Sequence, residues 1–163
     1  MKNKKAFTLI ELIIVIAIIA ILAGAIFVAI DPARRLHEAR NARRASDIAN
    51  ILDAVKKYQA DHSGTHYYLI ESMTKDVNYL IGESAGSCII DCSVALQSAC
   101  VDLSEMGTDY LAIIPKDPKD GTDLKTGYAI RKDDTGAITV IACGAEGEGQ
   151  GGAGDPPDLL ISR

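Results

Sequence analysis

From Phe7 to Ile30 the chain reads FTLIELIIVIAIIAILAGAIFVAI, and Glu11 is the one charged residue in it. From Leu12 to Ile30 nineteen residues pass without a charge; at ~1.5 Å rise each, such a run spans roughly the ~30 Å of hydrocarbon in a bilayer as one helix. No side of that helix is polar, so it must lie in lipid or among similar helices. After Asp31-Pro32 the pattern changes: Leu36, Ala39, Ala42, Ala45, Ile48, Leu52 and Val55 recur every three or four residues, the period of one helix face. Arg34, Arg35, Glu38, Arg40, Arg43, Arg44, Asp47, Lys56 and Lys57 then fall opposite, as a solvated or headgroup-facing surface. Asp31 can cap a new first turn and Pro32 suits its first position, so a kink or short break is expected between the halves, with Gly24 a second weak point. The helix should stop near His62-Ser63-Gly64, where glycine offers the usual exit. A straight helix of that length, ~84 Å, is far more than a head of ~100 residues, with a radius of gyration near ~13 Å, can cover.

Beyond the helix the period turns to two. Tyr128 to Arg131 and Ala137 to Cys143 read as a strand pair joined by Lys132-Asp133-Asp134-Thr135-Gly136, and Tyr110 to Ile114 as a third strand. Ser72 to Leu80 is expected to hold a short helical piece, Cys88 to Cys100 a helical turn or two, and residues 115–123 a loop. Residues 144–163 are glycine-rich with Pro156-Pro157 and read as a mobile or surface-laid tail in which Leu159, Leu160 and Ile161 can dock.

The head of the apolar run carries a sharper pattern. Lys4-Lys5-Ala6-Phe7-Thr8-Leu9-Ile10-Glu11-Leu12-Ile13 resembles the class III signal sequence of type IV pilins and pseudopilins: a short basic leader, then F-T-L-I-E-L opening an apolar helix. An ordinary secretory signal fits less well, because the apolar core runs on past Ala23-Gly24-Ala25. The resemblance implies that a prepilin peptidase cuts between Ala6 and Phe7 and methylates the new amino terminus. Ala6 stands where the family nearly always has glycine, so a small residue is kept. Glu11 takes the place of the family's glutamate, which meets the terminal amine of a neighbouring subunit during assembly; a carboxylate near lipid needs such a partner. The resemblance also implies that the stretch from Gly24 to Pro32 loosens when a subunit enters the filament.

The implied fold is α+β and pilin-like: a long N-terminal helix, half transmembrane and half amphipathic, packed against a small antiparallel β-sheet. The divisions are a leader at 1–6, a transmembrane and assembly helix at 7–31, its amphipathic half at 32–62, a globular head at 63–143 and a flexible tail at 144–163. The implied function is structural: a type IV pilus subunit serving adhesion or motility, held in the inner membrane as a single-pass precursor and then assembled by inner-membrane machinery into an extracellular homo-oligomeric helical filament. A pseudopilin of a type II secretion or DNA-uptake system shares these features. An answer of another class is a membrane-anchored binding module that never polymerises.

Cysteine and charge refine this. Cys88, Cys92, Cys100 and Cys143 lie where the chain should be outside the cytoplasm, so two disulfides are expected, with three connectivities open. A zinc site is the competing reading, but the spacing lacks paired short knuckles. Without Lys2, Lys4 and Lys5 the chain has 14 basic against 22 acidic residues, a balance that does not suit nucleic acid as a partner. The positive-inside rule does not orient the span, with three lysines before it and Arg34, Arg35, Arg40, Arg43 and Arg44 after it.

Asp117, Asp120 and Asp123 could gather around calcium, as an aspartate-rich loop does in similar secretion pseudopilins, although Lys119 occupies a ligand position and no glutamate closes the loop. His62 and His66 have Gly64 between them, which argues against one helix presenting both to a metal. No nucleophile elbow, phosphate loop or His-carboxylate set occurs at motif spacing, so no enzyme activity and no cofactor are expected.

Overall fold

A computed structural model describes residues 7–83, 92 and 100–163. Its long helix comes in two pieces, α1 at Leu9–Ile30 and α2 at Pro32–Asp61. Thr8 opens α1 with a reciprocal cap: its hydroxyl accepts from the Glu11 backbone N–H at 3.3 Å, and its own N–H donates to Glu11 Oε2 at 2.8 Å. No residue of α1 is buried. Asp31 interrupts the rod in the left-handed region at φ 47°, and its Oδ1 accepts from Arg34 N–H at 3.4 Å to start α2 behind Pro32. The break thus falls where the Asp-Pro pair predicts it, whereas α1 runs unbroken through Gly24. α2 ends at Asp61, with Gly64 at φ +87° donating its N–H to Gln59 O at 2.8 Å.

The head is a four-stranded antiparallel sheet in the order β1-β2-β3-β4, laid against the upper turns of α2. β2 is Tyr128–Lys132 and β3 is Ile138–Ala142, paired from Tyr128 opposite Ala142 to Lys132 opposite Ile138. Asp133 shapes their turn by accepting on Oδ1 from the N–H groups of Thr135 and Ala137, both at 2.8 Å, with Gly136 at φ +85°. The core joins Ile48, Ile51, Leu52 and Val55 of α2 to Tyr128, Ile130, Ile138 and Val140 of the hairpin, closed by Ile70, Leu103 and Met106. Each such side chain contributes about 1.5–3 kcal/mol through removal from water.

Four expectations need correcting. Tyr110 to Ile114 is not a strand: the N–H groups of Tyr110 and Leu111 both turn back to Gly107 O, and the Tyr110 ring sits edge-on to Tyr58 at 5.2 Å. The sheet is filled out instead by β1, Tyr79–Leu80, and by β4, Leu160–Ser162. The short helix in this region, α3, lies at Tyr68–Glu71, ahead of the Ser72 to Leu80 stretch, whose end extends to pair with β2. In the segment from 144 to 163, Leu159 and Ile161 dock on the core as expected, but the end is a strand and not a loose tail, since β4 pairs with β3 from Thr139 opposite Ser162 to Ile141 opposite Leu160.

The fourth concerns the arginine face of α2, expected to be solvated or to face headgroups; Ile48, Ile51, Leu52 and Val55 carry the head as their spacing predicts, and the alanines are left for neighbouring helices. The buried positions of α2 are Asn41, Arg44, Ile48, Ile51, Leu52, Ala54 and Val55, whereas Leu36, Ala39, Ala42 and Ala45 are exposed. The stripe of alanines therefore looks outward, and the side turned to the chain's own head is polar in its lower turns. Three- and four-residue steps fit both faces; side-chain pairing, not apolarity, decided between them. The expected helical turns between Cys88 and Cys100 fall outside the described residues.

Candidate assembly interface

Two surfaces carry the chemistry. The first is α1. Leu9, Ile21, Phe27 and Val28 are among its many exposed apolar side chains, with Phe7 exposed just ahead of it, and the helix has the length and composition to cross a membrane. Glu11 is the only charge on it. The carboxylate is engaged locally, since Glu11 Oε2 accepts from both the N–H and the hydroxyl of Thr8 at 2.8 Å. That leaves Oε1 without a hydrogen bond inside α1 and near the start of the mature chain that cleavage before Phe7 would produce. Phe7 is the first described residue and is exposed; Ala6 lies outside the described residues. Gly24 sits within α1 with no atom within 4 Å of where a side chain would begin, and Pro32 opens α2.

The second surface is internal, a charged seam where lower α2 meets residues 115–127 and 143–151. Arg44 is fully buried. Its Nε donates to Asp117 Oδ2 at 2.6 Å and its Nη2 to Asp117 Oδ1 at 3.1 Å, while Nη1 donates to Glu146 Oε2 at 3.0 Å and Asn41 Oδ1 at 2.9 Å. Arg40 adds a second fork to Glu146, at 2.5 and 2.7 Å. Asn41 closes the set by donating to Glu146 O at 2.7 Å and accepting from Glu146 N–H at 3.0 Å. These contacts hold Glu146 at a pKa of about 2, the Arg40 hydrogen bonds being the largest cause and outweighing the burial that opposes them. Burial pushes Asp117 upward, yet the Arg44 fork and the N–H groups of Lys119 and Asp120 leave it below the usual carboxylate range. Arg44, Asp117 and Glu146 are all charged, so the seam, with Arg40, is a set of compensated ions and not a proton-transfer site.

Asp117, Asp120 and Asp123 accordingly do not form a ligand set. Asp117 is turned to Arg44, Asp123 pairs with Lys116, and among the described residues no group of three or more His, Cys, Asp or Glu side chains gathers as a metal site would require. His62 stacks on Tyr58 at 3.9 Å, and His66 is buried in the head with its pKa lowered by burial and by the nearby charge of Lys56. The four cysteines resolve in part: Cys92 is bonded to Cys143, Cys100 is also in a disulfide, and Cys88 lies outside the described residues.

Sequence reasoning missed Arg40, Asn41, Arg44 and Glu146 as a unit and placed the arginines on a solvated face. A signal was present, because stepping down from Val55 through Ile51 and Ile48 by threes and fours leads to Arg44 and Asn41 as readily as to Ala45 and Ala42.

Residues 1–27 match the family model described as the prokaryotic N-terminal methylation motif, the class III signal peptide, consistent with a type IV pilin or pseudopilin precursor. With that motif, the apolar helix fits a membrane-anchored precursor, and the motif points to a structural protein processed by a prepilin peptidase. No curated protein and no solved structure matches the chain.

Proposed function

We propose that the chain is the structural subunit of a type IV pilus, drawn from the inner membrane into an extracellular helical filament. The observation that carries this reading is α1: a membrane-length helix that its own head leaves entirely uncovered, directly behind a methylation motif. Before assembly lipid covers it; afterwards the same helix of neighbouring copies does, in heterologous contacts that repeat without closing. Glu11 gives the transfer its register, because its carboxylate and the amine of a neighbour's Phe7 neutralise each other where either alone would be costly. The outward alanines of α2 let rods approach closely above the membrane. Support for an exposed fibre over a short periplasmic pseudopilus comes from the disulfides of the head, which suit a mechanically loaded surface.

The test is electron microscopy of cells lacking the protein and of cells carrying Glu11→Ala. Loss of surface filaments in both, with the variant still in the membrane, supports the pilus subunit. Intact filaments with failed secretion or DNA uptake would mean a pseudopilin, and preserved ligand binding by a never-polymerised Glu11→Ala protein would mean an anchored binding module.

A further inference from the structure

Residues 144–154 form an arm that leaves β3 at Cys143 and travels down α2 toward the break in the rod. Its contacts follow in order. Glu146 bonds Arg44 and Arg40, Gly147 O meets His37 Nδ1 at 2.8 Å, and Gly151 N–H donates to Asp31 Oδ2 at 2.7 Å. Gly152 lies against the His37 ring at φ +77°, a backbone that favours glycine, so the arm lies flat there. Asp31 is therefore held from two sides: Oδ1 caps α2 through Arg34 N–H, and Oδ2 is taken by the arm.

The residue before a proline is disfavoured in the right-handed helical region, because the proline ring crowds its backbone. The proline thus disfavours a smooth continuation of α1 into α2 through Asp31. Extended and left-handed backbone both avoid that crowding, and the two point α1 in different directions. Left-handed backbone costs an aspartate something that the extended alternative does not, yet Asp31 stands at φ 47°. In that conformation Asp31 both caps α2 through Arg34 N–H and accepts from Gly151 N–H.

We infer that the arm is a latch through which the globular head sets the bend between the membrane helix and the rest of the rod. The anchor is the Arg40–Glu146 fork, the bolt is Gly151 on Asp31, and opening the latch frees α1 to swing at Asp31. The latch belongs to the isolated subunit and does not depend on the filament.

It is tested by amide hydrogen exchange on the full chain in lipid nanodiscs. Asp31→Asn keeps a capping oxygen and tolerates left-handed backbone but offers Gly151 a donor where it needs an acceptor. Exchange at residues 33–36 and 149–153 should rise at least tenfold, as expected for a lost hydrogen bond to a charged group, with β2 and β3 unchanged. Arg40→Gln removes the two-bond fork to Glu146 while leaving Arg44 and Asn41 on it and Asp31 in place, and should loosen the same first turn of α2 from a distance. If Arg40→Gln frees residues 149–153 while exchange at 33–36 stays within twofold of the native chain, the arm does not govern the bend and the latch is ruled out. It is equally ruled out if neither variant changes exchange at residues 33–36.

Discussion

Arg44 and Asp117, 73 residues apart, meet through a two-bond fork of 2.6 and 3.1 Å with both side chains almost wholly removed from water. Burial alone would lower the arginine's pKa and raise the aspartate's, yet each is moved the other way by its partners, which marks a pair kept ionised inside the protein. Such a pair does little for stability relative to apolar packing, but it is costly to break from one side.

Arg44→Ala should therefore destabilise the chain by about 3–5 kcal/mol, because it leaves the buried Asp117 without its charge partner, while Glu146 keeps its fork from Arg40. Arg34→Ala removes an exposed pair with Glu38 and should cost less than about 1 kcal/mol. Denaturant titration of both variants in detergent, followed through the signals of the head, measures the contrast; equal losses would mean that the seam is not a closed ion set.

The Glu146 carboxylate has its pKa lowered from 4.5 to about 2. A lowered folded value means that the unfolded chain binds the proton more readily, so the stabilisation is fully present above pH ~4.5 and is lost as pH falls toward ~2. Acid titration should loosen residues 144–148 over that window, and Glu146→Gln should flatten the pH dependence there. Exchange or NMR at the Glu146 amide, which donates to Asn41, reads the transition.

Cys143→Ser opens the link to Cys92, a loop with a sequence separation of 51. The expected loss is about 2–4 kcal/mol, larger than a surface substitution and smaller than removal of Arg44. Thermal unfolding under oxidising conditions checks it, and intact mass of the native protein should show Cys92, Cys100 and Cys143 oxidised.

Two substitutions at Glu11 separate its roles. Glutamine can still accept from Thr8 N–H and preserves the capping geometry, whereas alanine cannot. If the acid acts on a neighbour's amine, both variants fail to make filaments although only alanine frays the first turn of α1. Filament counts together with helix content of the detergent-solubilised subunit distinguish the cases.

Where the chain signals locally, the fold was legible. Asp31-Pro32 marks the break, Ser63-Gly64 the stop and Asp133 to Gly136 the turn, each because a few adjacent residues determine backbone geometry on their own. β1 and β4 escaped notice because two or three residues become strands only by borrowing partners, and Leu160 shows no burial pattern that alternation could reveal. The seam was hidden for a related reason. Arg44 looks like a surface residue until Asp117 and Glu146 arrive from other parts of the chain to neutralise it. The processing motif was readable because its chemistry lies in consecutive residues.

The uncovered surface of α1 has one more consequence in the proposed filament. Lipid tails are as apolar as the isoleucines and leucines of a neighbouring rod, so moving the helix between the two phases changes little in its hydration. The transfer is then close to reversible, and its direction must come from outside work and not from the subunit. Such a fibre can be dismantled as it was built, returning intact copies to the bilayer for another round.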